Sequence, residues 1–432
     1  MSALATAPQP AAPASSAANP LSLSPPAFQP PSPRALEDLG LPEGLIYDIA
    51  LRHINHRGVC TINGLASLMK LPLEVAEPVF RHLNEQQYLE IRRMTGDDYV
   101  FALSAHGRKM AQERSLGSRY TGPLPVPVQS WAAGVNAQVT PLAISRDTLR
   151  RAFHDVVITD ELLDALGPAL ISQSPIFLYG PSGTGKTTLS ERLMRVFSDA
   201  ICVPWAIEIE GQIVALADPA VHEPIEFPGL DIDPRWLVCH RPFVAVGGEL
   251  VASMLDLQRD DLAGVYRAPL QMKASNGILL IDDFGRQAIS PRDLLNRWIV
   301  PLDRHIDFLS LGTSGKIDVP FELLVVFSTN LAPQELADEA FLRRIPNKIL
   351  VMPIEPDAFD IIFRAVAKKM KFEFEPEIPA LLRELCLRHS PDLRPCFPRD
   401  ICGALRAIHT YEGRRLTILR ADLERAVTGY FV

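Results

Sequence analysis

The sequence predicts an α/β protein in which a parallel sheet is flanked by helices and followed by a helical C-terminal region. Three observations predict it. Between residues 141 and 350 the apolar runs PIFLYG, NGILLIDDF and ELLVVFSTN alternate with helix-like stretches, the pattern of strands joined by helical crossovers. The first of these runs leads straight into a glycine-rich turn and then a helical segment, TLSERLMRVFSD. From residue 354 onward DAFDIIFRAVAKKM, EIPALLRELCLRH, RDICGALRAIHTYEG and LERAVTGYFV all read as helices.

A chain of 432 residues is too long for one core, so two or three domains are expected. Residues 1–37 are dominated by Ala, Pro, Ser and Leu, with no charge before Arg34. Such a segment buries too little apolar surface to offset its ordering entropy and reads as a disordered tail. Residues 38–118 form a small domain: a helix ending at Gly58, a short helix in INGLASLMK, a third in LEVAEPVFRHLNEQQYLEI, and a hairpin turning at Gly96-Asp97-Asp98. A closing helix follows in SAHGRKMAQERS. Three helices followed by a hairpin resemble a winged helix. Residues 119–140, proline-spaced, read as a linker; residues 141–353 form the α/β domain and residues 354–432 the helical one. Every catalytic element lies after Ser145, so removal of residues 1–118 is expected to leave a soluble protein.

Hydrophobic residues make up 47% and charged residues 22% of the chain, ordinary for a globular protein, and the net charge of −8 gives no global attraction to nucleic acid. The six cysteines include no CxxC pair, so neither a zinc site nor a redox motif is indicated. Reduced thiols suit a cytoplasmic protein. No run of 18 apolar residues exists, and the N-terminus lacks the basic region of a secretory signal. No membrane insertion is expected.

The chemistry concentrates at a few positions. Gly180, Pro181, Ser182, Gly183, Thr184, Gly185, Lys186, Thr187 and Thr188 follow an apolar strand and open a helix, the context a GxxxxGKT phosphate loop requires. The glycines let backbone N–H groups approach phosphates, Lys186 brings an ammonium to the terminal phosphates, and the Thr187 hydroxyl suits Mg²⁺. ATP and Mg²⁺ are the expected cofactors. Asp282 and Asp283 end the apolar strand 278–281, where ligands bind in open α/β sheets. Paired carboxylates there suit Mg²⁺ and a water nucleophile. Asn330 ends the next strand, Arg343 and Arg344 follow a short helix, and Arg399 starts a helix in the C-terminal region.

These five elements, in this order, resemble the AAA+ ATPases over about residues 140–432. The resemblance implies that Asn330 is the sensor 1 residue, that Arg343 or Arg344 is an arginine finger acting on a neighbouring subunit's nucleotide, and that Arg399 is the sensor 2 arginine. It also implies that Val157, within the stretch Val156–Ile158, lies near the adenine. A homo-oligomer is implied, with a hexameric ring favoured. VYRAPLQMKASNGILLIDDFGRQ looks like the corresponding stretch of MoxR-type ATPases and sigma-54 activators, and DFLSLGTSGKIDVPF reads as a hairpin turning at Gly312–Gly315, a feature of the pre-sensor-1 clade. The GAFTGA loop of the activators is absent; RPFVAVGGELVASMLDLQRDD lies in its place. The family carries Asp-Glu where this chain has Asp282-Asp283, so slow hydrolysis is expected.

Acids outnumber bases by ten to nine in residues 38–116, and the third helix carries Glu74, Glu77 and Glu85 against Arg81 alone. Phosphate neutralisation requires the opposite balance. A protein substrate or adaptor is therefore the favoured partner. The alternative is an ATP-dependent regulator that grips DNA through the winged helix, with Arg92 and Arg93 in the wing.

Overall fold

The computed structural model describes residues 23–96, 98–139, 144–312, 315–336 and 339–431. The chain forms two compact units. One comprises the described residues through Val139 with Ser198–Pro242 and Leu257–Lys273; the other comprises those of Thr140–Phe197, Phe243–Asp256 and Ala274–Val432. Asp97, residues 313–314 at the expected second turn, and the first part of the expected tail lie outside the described residues.

The second unit is built on five parallel strands: β1 (Ile176–Tyr179), β2 (Phe243–Val246), β3 (Ile278–Ile281), β4 (Leu324–Thr329) and β5 (Asn347–Leu350). They lie in the order β2-β3-β4-β1-β5, every pairing parallel. Strand periodicity sorts their side chains. Ile176 and Leu178 share one face with Ile278, Leu280, Leu324, Val326 and Ile349, covered by Leu149, Phe153, Leu163, Leu166, Leu170, Leu189 and Leu193 from helices. Phe177 points the other way, into an aromatic layer with Phe284 and Phe327 that continues to Trp298 and Phe341. The hairpin expected before the last sheet strands is present as Ile306–Ser310 paired with Lys316–Pro320. Helices Pro356–Lys369, Ile378–His389, Cys396–Tyr411 and Arg420–Tyr430 enclose a separate core around Phe359, Phe363, Leu382, Ile401 and Leu405. The predicted fold class is the observed one: an α/β protein with a parallel sheet, flanking helices and a helical C-terminal region.

In the first unit, helices Glu43–Arg57, Ile62–Met69 and Leu73–Glu85 pack with an antiparallel sheet. Its central strand, Asp98–Leu103, lies between Val59–Thr61 and Leu89–Thr95. Thr61 and Ser104 cap helices by accepting from the Gly64 and Gly107 amides, which satisfies donors a helix start otherwise leaves open.

The rest of this unit differs from expectation. Strands Ala206–Ile209 and Gln212–Ala215 form a hairpin. They join a second sheet with Gln258–Asp260, Val265–Arg267 and Val126–Pro127. Ala206, Ile213 and Val265 share one buried cluster with Leu124 and the N-terminal helices. Their alternation with helix-like runs suggested crossovers of the parallel sheet, but antiparallel partners lie closer along the chain. The stretch 119–139 is also structured: the Arg119 amide donates to Ala263 O (2.8 Å), the Leu124 amide to Met69 O (2.9 Å), and Val128–Ala137 is helical. Residues 24–37, expected to end a disordered tail, are ordered. The Ser24 amide donates to Ser198 O and the Ala200 amide to Ser24 O; Phe28 meets Trp236 edge-on at 5.3 Å. Composition missed this because the ordering comes from partners far along the chain. Asp233 and Arg235, both buried, form a bidentate pair whose guanidinium also donates to Leu39 O and Pro125 O.

These contacts reverse the expectation for a shortened chain. Removal of residues 1–118 uncovers the faces of Ala206, Ile213 and Val265, and exposed apolar patches of that kind promote association. The truncated protein should elute as aggregate in gel filtration and bind the dye ANS strongly, where the full chain does neither. A monodisperse, ANS-silent truncation would contradict this packing.

Candidate functional site

The carboxyl ends of three adjacent strands meet at one place. Gly180 follows β1 directly, Asp282 follows β3 and Asn330 follows β4. Register brings these ends together: Thr329 lies beside Tyr179, and Ile281 beside Phe327, two residues before the end of β4.

The loop after β1 is shaped by close approaches. Gly180 has φ +140°, and a Cβ there would stand 2.4 Å from Val351 O. Gly183 has φ +78°, and its Cβ would stand 2.5 Å from Cys396 Sγ. Neither position admits a side chain without displacement. Thr184 Oγ1 donates to Pro181 O at 3.0 Å and braces the turn. Helix Lys186–Leu193 starts at Gly185, so its unpaired N–H groups and positive dipole end face the loop. Ser182 and Thr187 are exposed, while Pro181, Gly185 and Thr188 are half-buried.

Lys186 is buried, and its ammonium donates to Gly180 O (2.9 Å), Pro181 O (2.9 Å) and Asn330 Oδ1 (2.8 Å). Burial pushes its pKa below the usual lysine value; Asp282 and Asp283 oppose that shift and Arg394 adds to it. Thr187 Oγ1 donates to Asp282 Oδ2 at 2.8 Å. Asn330 Nδ2 reaches Asp283 Oδ1 at 3.4 Å. The structure thus brings Lys186, Thr187, Asp282, Asp283 and Asn330 into one hydrogen-bonded group. A hydroxyl paired with a carboxylate is a hard-oxygen donor set of the kind Mg²⁺ prefers, so the residues present fit that ion.

Comparisons with known proteins bear on part of the chain. A family model described as "Domain of unknown function (DUF8689)" matches residues 355–429. No curated protein matches. Among solved structures, a Thermotoga maritima RuvB mutant is 13% identical, with 64% of this chain and 72% of that one covered and a TM-score of 0.39. The Thermotoga maritima RuvB Holliday junction branch migration motor is 15% identical over 62% of this chain and 67% of that one, at a TM-score of 0.35. NtrX from Brucella abortus in complex with ADP is 15% identical over 70% of this chain and 61% of that one, at 0.37.

The remaining expected residues lie apart from this group. Val157 is half-buried, in a segment tied to the loop's helix and the turn after it by Asp155, which pairs with Arg192 and Arg195. Arg344 is paired with Asp303 at 2.7 Å. Arg343 is exposed and, among the described residues, makes no ion pair. Arg399 is also exposed and pairs with its neighbour Asp400 at 3.2 Å. Arg394, missed in sequence, lies closer: its Cδ would be 3.7 Å from a Cβ on Gly183, and its charge is felt by Lys186. Its Nε is buried and has no hydrogen-bond partner among the described residues. The only sequence signal was a basic residue just before the helix rather than inside it.

The contact between Gly183 and Cys396 is testable by unfolding in urea. Gly183→Ala should destabilise by about 2–4 kcal/mol, from the positive φ and the overpacking together. In a Cys396→Ala background the cost should fall to about 1–2 kcal/mol, because only the backbone strain remains. Equal costs in the two backgrounds would exclude the contact.

Proposed function

We propose that the chain is an AAA+ ATPase that binds Mg·ATP on the loop Gly180–Thr188 and hydrolyses it. The convergence of Lys186, Thr187, Asp282, Asp283 and Asn330 at the ends of adjacent parallel strands carries this reading. The Lys186 ammonium exchanges its loop carbonyls for the β- and γ-phosphate oxygens, which are stronger acceptors. Thr187 and Asp282 would hold Mg²⁺, which would supply charge neutralisation at the phosphates. Asp283 accepts a proton from the water whose oxygen attacks the γ-phosphorus; the bond from that phosphorus to the β–γ bridging oxygen breaks, and ADP and phosphate result. Asn330 orients the water and the γ-phosphate. Arg394, beside the loop, suits the role of the nucleotide-contacting arginine better than the outward Arg399. The shorter Asp283 lengthens its reach to the water, which favours slow turnover.

Lys186→Ala should weaken ATP binding at least tenfold, read by titration with a fluorescent analogue, because it removes the main counter-charge of the phosphates. Asp283→Asn should keep binding and lose turnover, since an amide does not accept the proton. Undiminished turnover in Asp283→Asn would sink the assignment of the base.

We further propose that the protein works as a homo-oligomeric ring that remodels a protein partner, with residues 38–118 as a winged-helix adaptor. Arg343 supports the first part: its guanidinium is exposed and, among the described residues, makes no ion pair, so it is available to a neighbour's nucleotide, whereas Arg344 is held by Asp303. For the second part, Arg81 of the third helix is paired with Glu77 and Arg92 of the wing with Glu90, which offsets positive charge where DNA phosphates would need it. Mixing Arg343→Ala protein with Lys186→Ala protein should restore ATPase activity above the sum of the two alone, since a mixed interface combines an intact arginine with an intact loop. No rescue, with a monomeric mass in ATP, would contradict the ring.

A further inference from the structure

Asp283 stands on an unusual backbone. Its φ is +49°, in the left-handed region that residues bearing a Cβ seldom occupy. Among the described residues its carboxylate has one hydrogen-bond partner, Asn330 Nδ2 at 3.4 Å. The direction of its carboxylate is therefore set by the turn that follows β3, which is closed by the Arg286 amide donating to Asp283 O at 3.0 Å and by one side chain that bridges three of its peptides. Gln287 Nε2 donates to Asp282 O at 2.8 Å and to Asp283 O at 3.2 Å, while Gln287 Oε1 accepts from the Gly285 amide at 2.8 Å. The middle of the turn is fixed to β4 separately: the Phe284 amide donates to Ser328 O (2.7 Å), and Thr329 Oγ1 donates to Phe284 O (2.8 Å).

We infer that Gln287 is a positioning residue for Asp283, its amide clamping the turn so that the carboxylate faces the γ-phosphate region. This rests on the ATPase reading above. A primary amide suits the task because it carries two donors and an acceptor on one planar group. Glutamate has the same shape, but ionised it offers no donor to the two carbonyls and sets a third negative charge beside Asp282 and Asp283. Leucine offers neither donor nor acceptor. With the clamp gone, the Asp283 peptide keeps its bonds to the Arg286 amide and to Asp282 Oδ1 but loses the bridge across the turn, so it can shift toward right-handed angles, which turns its Cβ away from the site. A displacement of about 1 Å can cost on the order of a hundredfold in rate.

The test uses the full chain and four variants: Gln287→Leu, Gln287→Glu, Asp283→Asn and Gln287→Leu/Asp283→Asn. Turnover, Mg·ATP affinity and thermal unfolding are measured for each. Both Gln287 variants should lose roughly 10- to 100-fold in kcat, with ATP affinity within about threefold of the parent and an unfolding transition as sharp. The double variant should be no slower than Asp283→Asn alone, because a residue that acts through Asp283 has nothing left to position. Unchanged kcat in both single variants, or an equal further loss on the Asp283→Asn background, would overturn the inference while the ATPase reading stands. Joint loss of ATP affinity and of a sharp transition in both would make Gln287 a structural residue and overturn it as well. A parent protein that neither binds nor hydrolyses ATP would overturn both.

Discussion

The whole site depends on the adjacency of β3, β4 and β1. Asp282 and Asn330 stand immediately past the ends of β3 and β4, the phosphate loop begins immediately past β1, and parallel hydrogen bonding fixes the offsets between the three ends. Lys186 shows how close the resulting geometry is: its ammonium donates to two carbonyls of its own loop and to Asn330, which lies 144 residues away in sequence. A shift of one residue in either pairing would turn Asp282 or Asn330 to the opposite face of the sheet. Burial of Ile176, Leu178, Leu280 and Val326 on one face, with Phe177 and Phe327 on the other, excludes that shift.

How much of this was legible in sequence follows from the range of each signal. The phosphate loop is local: strand, glycines, Lys-Thr and helix lie within about a dozen residues, and their order alone specifies the geometry. Asp282 and Asn330 were legible because an apolar run fixes where a strand ends. The C-terminal arginine was not. Arg399 lies within the helix Cys396–Tyr411 and points to solvent, while Arg394 lies just before it and meets the loop. Which of two basic residues five positions apart faces a site depends on how the helix is docked, and docking is set by the core around Phe397, Ile401 and Leu405.

The first unit was harder to read for a related reason. Its strands are short, and the pairing of Val126–Pro127 with Ala206–Ile209 joins segments about 80 residues apart. Apolar periodicity reports that a strand exists and says nothing of its partner. The Pro-rich segment around Ser24 and Phe28 illustrates the limit of composition. It contains few apolar residues, yet Phe28 is enough to seat it on Trp236, and an extended backbone suits the bridge to Asp199.

The interleaving of the two units constrains how the chain reaches its native state on the ribosome. The core that includes Leu124 also needs Val265, so the N-terminal unit is not complete when its own helices emerge. At about 5–20 residues per second, that wait is on the order of 10–30 s. Before it ends, β1, the phosphate loop and β2 have left the tunnel, while β3 and β4 are still to come. Both sheets therefore close within the same late window, and the nascent chain presents two unfinished apolar faces together, which makes it a natural client for a chaperone.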